Sequence, residues 1–324
     1  MLDLRAQILQ KIKDNRTKSI GIIMHNKPDG DAIGSAVALE KALKKMGKRV
    51  VDIIIHDKIN SKFAPFIGDK RVNKVIRPPE GRKYDILFMI DFSDPERTMR
   101  GLRRISKSII VIDHHTSNEP YGDIYLCENA PSTGVIVYEL IKKLVPIDKD
   151  IANAIYLSIR SDTNGFTNSN TTYKAHKIAS ELISKGACTE LINTVYETKS
   201  ISFVKLMGNT LPNIVVDKKY KIAYLVVTRD NIRESGALEE EVSSLINEFR
   251  YMEGIDISYL FIEGISNVRI SGRSRNMSVN KILENFGGGG HPKAAGCAIK
   301  GAHVLDVANE VVNFTIECID NNLM

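Results

Sequence analysis

The 324-residue chain contains no tryptophan, and its tyrosines and phenylalanines together make up only 6% of it. Proteins that hold nucleobases chiefly by stacking need a series of exposed rings. Any base bound here must therefore rely on isolated rings such as Phe166 or Tyr173, or on backbone and arginine contacts. Cysteine is also scarce. Cys127, Cys188, Cys297 and Cys318 are widely scattered and never adopt a paired ligand spacing, which argues against a disulfide framework and against a zinc ribbon. No apolar run approaches the roughly 20 residues of a membrane span. Residues 1–15 alternate charged with apolar side chains instead of forming a signal peptide, so the expectation is a cytoplasmic protein without a membrane partner. Low-complexity tracts, convincing internal repeats and long basic blocks are missing too, which excludes extensive disorder and duplex wrapping.

What remains is an ordinary globular composition, 43% hydrophobic and 26% charged. Its length favours two domains, each with its own core. The net charge of +6 is unevenly spread: residues 1–200 hold 32 Lys plus Arg against 24 Asp plus Glu, whereas residues 201–324 hold 13 against 15. The basic excess in the first part suits a short anionic ligand.

That first part alternates strand-like with helical patterns, at Ser19 to Met24, Asp31 to Met46, Asp85 to Ile90 and Ser108 to Ile112. The rhythm predicts βαβ units and a mostly parallel sheet. Helical patterning then covers Ser132 to Leu144, Lys149 to Ile159 and Thr172 to Leu211. Beyond Pro212 come antiparallel-looking strands, Lys221 to Val227, Ile255 to Glu263 and Val268 to Gly272, with helices at Glu239 to Phe249 and Val279 to Phe286. The expected architecture is α/β: a catalytic domain over residues 1–190, a helical linker over 191–212 and a smaller α/β domain over 213–324.

The first chemically informative segment is His25-Asn26-Lys27-Pro28-Asp29-Gly30-Asp31, between a strand and a helix beginning near Ala32. It places an imidazole and two carboxylates at a strand's carboxyl end, where open α/β sheets bind ligands, and Gly30 relaxes the backbone between the acids. Read alone, Asp31 could simply cap the helix. Asp91 and Asp113 end two further strand-like runs, and His114 and His115 follow the second. Recurrent acids at an apolar crevice are costly without compensation, and divalent cations are the simplest compensation. Asp162, in Ser161-Asp162-Thr163-Asn164-Gly165, reaches the same region from a helix end or belongs to a turn. His56, His176 and His303 lack such partners and read as surface or packing residues.

A last element, Phe286-Gly287-Gly288-Gly289-Gly290-His291-Pro292-Lys293, runs directly into an apolar strand from Gly296 to Ile299. A flexible linker seldom does so. The segment instead reads as a ligand loop, with Gly288, Gly289 and Gly290 letting backbone N–H groups approach an anion beside His291. Arg273 and Arg275, just past a strand, are either guanidinium forks for phosphate or solvated surface residues.

In order and spacing, His25-x-x-x-Asp29-x-Asp31, Asp91, Asp113-His114-His115, Asp162 and the Gly-Gly-Gly-His-Pro loop ending at His291 closely resemble the DHH phosphoesterase superfamily followed by its DHH-associated domain. The resemblance covers nearly the whole chain. The compact length is similar to the branch of nanoRNases, pAp phosphatases and cyclic-di-AMP phosphodiesterases. It implies two divalent metals, with manganese the best match, His25 and Asp29 on one ion, Asp31, His114 and Asp162 on the other, and Asp91 bridging. A hydroxide held between the ions would attack phosphorus. It further implies that Asp113 orients a histidine, that His115 faces the phosphate, and that Arg273, Arg275 and His291 grip short oligonucleotides or small nucleotides in a cleft between the domains. A homodimer without an obligatory protein partner is expected. Two competing readings are a pyrophosphatase of the same plan and a nucleotide-binding module without catalysis, although no metal ligand is missing.

Overall fold

The computed structural model describes residues 3–72, 74–92, 101–115 and 120–321. It divides into two compact units, Met1–Glu197 and Thr198–Met324. In the first, α1 (Leu4–Lys13), β1 (Ser19–Met24), α2 (Gly30–Lys45), β2 (Val50–Ile54), α3 (Ala64–Ile67), β3 (Ile86–Ile90), α4 (Leu102–Ile105), β4 (Ile109–Asp113) and β5 (Ile124–Cys127) precede four helices. These are α5 (Thr133–Ile141), α6 (Lys149–Asp162), α7 (Tyr173–Ser184) and α8 (Thr189–Glu197).

The five strands pair in parallel in the order β2-β1-β3-β4-β5. Every residue of β3 and β4 is buried, as expected of strands covered on both faces. Alternate side chains serve two cores. Ile22, Phe88 and Ile110 join the core beneath α2, α5 and α6, while Ile23, Leu87 and Val111 join one with Leu102 of α4. Chain order reverses between β1 and β3, and at such a switch point the crossovers leave opposite faces and open a crevice above the strand ends.

The second unit contains α9 (Ile201–Thr210), β6 (Val215–Asp217), β7 (Ile222–Val227), α10 (Arg229–Ser235), α11 (Glu239–Val242), α12 (Ile246–Phe249), β8 (Ile257–Glu263), β9 (Asn267–Ser274), α13 (Val279–Glu284), β10 (Gly289–His291), β11 (Ala294–Lys300) and α14 (Val304–Asp320). Its sheet order is β10-β11-β9-β8-β7-β6. One core lies under α13 and α14, and the other includes Phe203 and Leu206 of α9.

The structure corrects several expectations. Strands β7 and β8 are parallel, joined through α10 to α12, whereas a wholly antiparallel set was expected. The helical stretch from Thr172 to Leu211 is three helices, broken at Gly186 (φ 93°) and restarted at Ser200, whose side chain accepts from the Phe203 N–H. The segment expected as a linker is shared out: α8 lies in the first unit, and α9 packs into the second because Phe203 and Leu206 are apolar. Strands β2 and β5 and helices α1 and α14 add elements the pattern reading had not marked.

Candidate metal centre

The site is assembled at the carboxyl ends of β1, β3 and β4. Helix α2 begins at Gly30, and its cap is Asp29 rather than Asp31: one Asp29 oxygen accepts from the N–H groups of Asp31 (2.9 Å) and Ala32 (3.1 Å). Gly30 is required for space. A Cβ there would lie 2.0 Å from the Tyr196 hydroxyl oxygen of α8.

Asp31 is fully buried. Its carboxylate accepts from the Thr133 N–H (2.8 Å), the Gly134 N–H (3.1 Å), the Ser158 hydroxyl (2.6 Å) and the Ser35 hydroxyl (3.0 Å). Thr133 and Gly134 form the first turn of α5, whose own cap residue, Ser132, makes no side-chain cap bond. Asp31 thus satisfies a neighbouring helix's free donors and meets the positive end of its dipole. The Thr133 hydroxyl in turn donates to Asp91 (3.0 Å). Sequence reasoning passed over Ser35, Thr133, Gly134 and Ser158; the available signal was Pro131-Ser132-Thr133-Gly134, a polar helix start directly before an apolar helix.

Asp91 follows β3 with φ 61°, in the left-handed region, while its N–H donates to Ile112. A non-glycine residue pays a conformational penalty there and persists only where its surroundings hold it. Its carboxylate is 3% exposed. Asp113 occupies the last position of β4, one residue beyond the expected strand end, and one of its oxygens accepts from the N–H groups of His114 and His115 and approaches the His115 Nδ1 at 2.7 Å. His114 Nδ1 lies 3.1 Å from the Ala130 carbonyl, so it carries the proton and Nε2 is left as the electron-pair donor. That Nε2 stands 3.1 Å from Asp162, the last residue of α6, and 3.8 Å from both Asp31 and Asp91. His25 Nε2 lies 3.8 Å from Asp91.

Donor atoms of His25, Asp29 and Asp91 lie within 4.8 Å of one another, as do those of Asp31, His114 and Asp162, and those of Asp91, His114 and His115. All six expected ligands are gathered, with Asp91 common to two groups. The acids repel one another. Burial first, then the neighbouring aspartates, pushes the Asp91 and Asp162 carboxyls well above the ordinary range, and burial raises Asp31. For His115, burial opposes protonation, but Asp113 together with the nearby Asp31 and Asp29 outweighs it and raises the imidazole. Carboxylates plus imidazole nitrogens, crowded and internally repulsive, fit divalent cations.

A pH dependence follows. Carboxyls raised in the folded state retain protons that the unfolded chain releases, so metal-free stability falls as pH rises from the unfolded carboxylate range through the raised values. A bound cation removes that cost. Saturating manganese is expected to raise the melting temperature more at about pH 7.5 than at about pH 5. Equal increments at both would contradict the repulsion.

The second unit's expected residues are placed differently from the forecast. The glycine segment is largely an edge strand: β10 pairs with β11, with His291 opposite Ala294. Gly290 has φ 143°, and a Cβ there would meet the Ala294 carbonyl at 2.5 Å; one on Gly288 would meet the Gly296 carbonyl at 2.5 Å. Gly289 has open space, and Gly289, Gly290 and His291 are exposed. Arg273 lies within β9, not beyond it, and donates to the Gly272 carbonyl. Burial, then the nearby Arg250, lowers its guanidinium pKa. Arg275 donates from one terminal nitrogen to the Met252 carbonyl (3.0 Å) and lies over the Tyr251 ring, while its buried Nε makes no hydrogen bond.

Comparison with known proteins agrees with this geometry. Residues 19–159 match the DHH family, N-terminal domain, and residues 217–318 the DHHA1 domain. A bifunctional oligoribonuclease and PAP phosphatase of Thermus thermophilus is 30% identical over 312 residues, covering 95% of this chain and 91% of the relative. Its Bacillus subtilis counterpart is 29% identical over 86% of this chain and 89% of its own. The crystal structure of an exopolyphosphatase-related protein from Bacteroides fragilis superposes with a TM-score of 0.89 at 27% identity, covering 97% of this chain and 95% of that one. The chain belongs to the DHH family of phosphoesterases, with a DHHA1 domain following the catalytic one. It is a hydrolase acting on phosphoester bonds. Among the described residues, no helix is long and apolar enough to cross a membrane.

Proposed function

We propose that the protein hydrolyses short oligonucleotides and small nucleotides, such as pApA and pAp and also cyclic-di-AMP, to mononucleotides, using two manganese ions. The observation that carries this reading is the overlap of donor groups, with Asp91 common to the group around His25 and the group around His114. His25, Asp29 and Asp91 would hold one ion, and Asp31, Asp91, His114 and Asp162 the other. When bound, such a pair supplies Lewis acidity, acidifying water and neutralising phosphoryl charge. The chain's own groups do the rest. The Ala130 carbonyl keeps the His114 proton on Nδ1, Asp113 orients His115 towards the phosphate and favours its charged form, and Asp31 anchors α5 against the site. The names of the two curated relatives support this substrate class.

The test is a parallel assay with manganese of pAp, pApA, cyclic-di-AMP, a pentanucleotide and pyrophosphate. Release of AMP from pApA or pAp is expected. Turnover of pyrophosphate alone would assign the pyrophosphatase reading instead, and turnover of none would favour a binding module.

In this reading His291, Arg273 and Arg275, with the backbone of Gly288, Gly289 and Gly290, serve the substrate and not the metal. His291→Ala is expected to raise KM about tenfold, a loss of about 1.4 kcal/mol, with the metal content unchanged. Loss of metal on that substitution would reassign the imidazole.

A further inference from the structure

A cavity of about 540 Å³ lies in the first unit away from the metal ligands, lined by His56, Arg77 to Lys83, Arg104 and Ile105. Its walls come from three places: the residue that leaves the sheet after β2, the loop between β2 and β3, and the end of α4. Ile23 pairs with Ile54, so His56 leaves the sheet one strand over from His25. Four cations, Arg77, Arg82, Lys83 and Arg104, face one acid of the lining, Glu80. Among the described residues Arg77, Lys83 and Arg104 have no acidic partner within 4.0 Å, and Arg82 has only Asp52, with its Nε at 3.7 Å. His56 Nε2 and Arg82 Nε are shielded from solvent and make no hydrogen bond. Buried donors of this kind are costly unless an acceptor reaches them.

The volume is that of a small-molecule site, several times what one phosphate ion needs. Positive charges spread around such a space suit a ligand with more than one anionic group, and the Pro78, Pro79 and Ile105 side chains offer apolar surface to a flat ring. The lining offers only His56 and Glu80 as possible metal ligands, and among the described residues neither belongs to a group of three donors that could hold an ion. We propose that this cavity is a second, non-hydrolytic site for a nucleotide carrying two or more phosphates. The phosphates pair with Arg77, Arg82, Lys83 and Arg104, and one accepts from His56. The ligand has two sources: a free small nucleotide, or the distal phosphates of an oligonucleotide held at the metal centre. The site stands on the cavity alone and not on the hydrolysis proposed above.

The experiment uses the full chain in excess chelator, which silences the metal centre, with fluorescent pAp and a fluorescent pentaadenylate as probes. Arg77, Lys83 and Arg104 are exposed, so Arg77→Glu, Lys83→Glu and Arg104→Glu, singly and combined, leave the core intact. The combined variant is expected to bind at least one probe at least about tenfold more weakly and with a shallower salt dependence, while its kcat on pApA with manganese is unchanged. Weakening of both probes assigns a free nucleotide, and weakening of the pentaadenylate alone assigns the substrate's distal phosphates. The His56 ring protons are expected to shift in the NMR spectrum as the weakened probe is titrated into the unsubstituted protein. Wild-type affinity for both probes in every variant, no binding by the unsubstituted protein, or an unmoved His56 signal would overturn the site.

Discussion

Replacing Asp91 by asparagine is expected to lower turnover by about three orders of magnitude, roughly 4 kcal/mol of transition-state stabilisation, while making the metal-free protein more stable at neutral pH. The two effects share one cause. Asp91 is held at φ 61° and its buried carboxylate is opposed by Asp31, Asp29, Asp162 and Asp113. Asparagine tolerates the left-handed region, keeps an oxygen for the Thr133 hydroxyl and carries no charge. The gain in metal-free stability is expected to be about 1 kcal/mol, measured by denaturant titration in chelator. A folded variant with near-normal turnover would remove Asp91 from the centre, and a variant less stable than the parent would show that the acid is not strained there.

Asp31→Ala is expected to behave in the opposite sense. Its carboxylate accepts from two N–H groups at the start of α5 and from two hydroxyls, all buried. Alanine takes the acceptor from the Thr133 N–H and the Ser35 hydroxyl, at about 1–3 kcal/mol for each one stranded, while the Gly134 N–H and the Ser158 hydroxyl keep their bonds to Ser158 and Ser132. Metal affinity, turnover and metal-free stability should therefore fall together. If calorimetry found Asp31→Ala as stable as the parent in chelator, the capping of α5 from α2 would be refuted.

The contrast explains how much of the site was legible in the sequence. The candidate ligands were readable because β1, β3 and β4 are short, mostly apolar runs, and each delivers an acid or imidazole at or just past its carboxyl end. Parallel pairing then brings His25, Asp91 and Asp113 to one edge without further information. The support for those ligands was not readable. Ser35 reaches Asp31 one turn along α2, whereas Ser158 sits on a helix face where a serine carries no local signal and acts only because α2, α5 and α6 pack together. Gly30 and Gly290 could be recognised as glycines but not explained, since the Tyr196 hydroxyl and the Ala294 carbonyl that exclude a side chain are distant in sequence or lie across a hairpin. The contacts of Arg275 with Met252 and Tyr251 were unreadable for a similar reason, since no local pattern pairs those residues with it. The parallel β7–β8 pair was missed although a helix over Glu239 to Phe249 was read between the two strands, because strand patterning alone does not fix direction; α10 to α12 form the crossover.

The bonds around Asp31 also fix when the centre can exist. Asp31 and Ser158 are 127 residues apart in sequence, and Asp31 and Gly134 are 103 apart. Closing loops of that length is slow, and such contacts reward the chain only after the intervening strands and helices are in place. Early in synthesis the chain therefore carries only part of each proposed ligand set, with His25, Asp29 and Asp31 present before Asp91, His114 and Asp162. In the proposed two-ion reading, complete ligand sets exist only on a finished scaffold, so metal scarcity during synthesis would leave a folded, inactive protein that later supply could switch on.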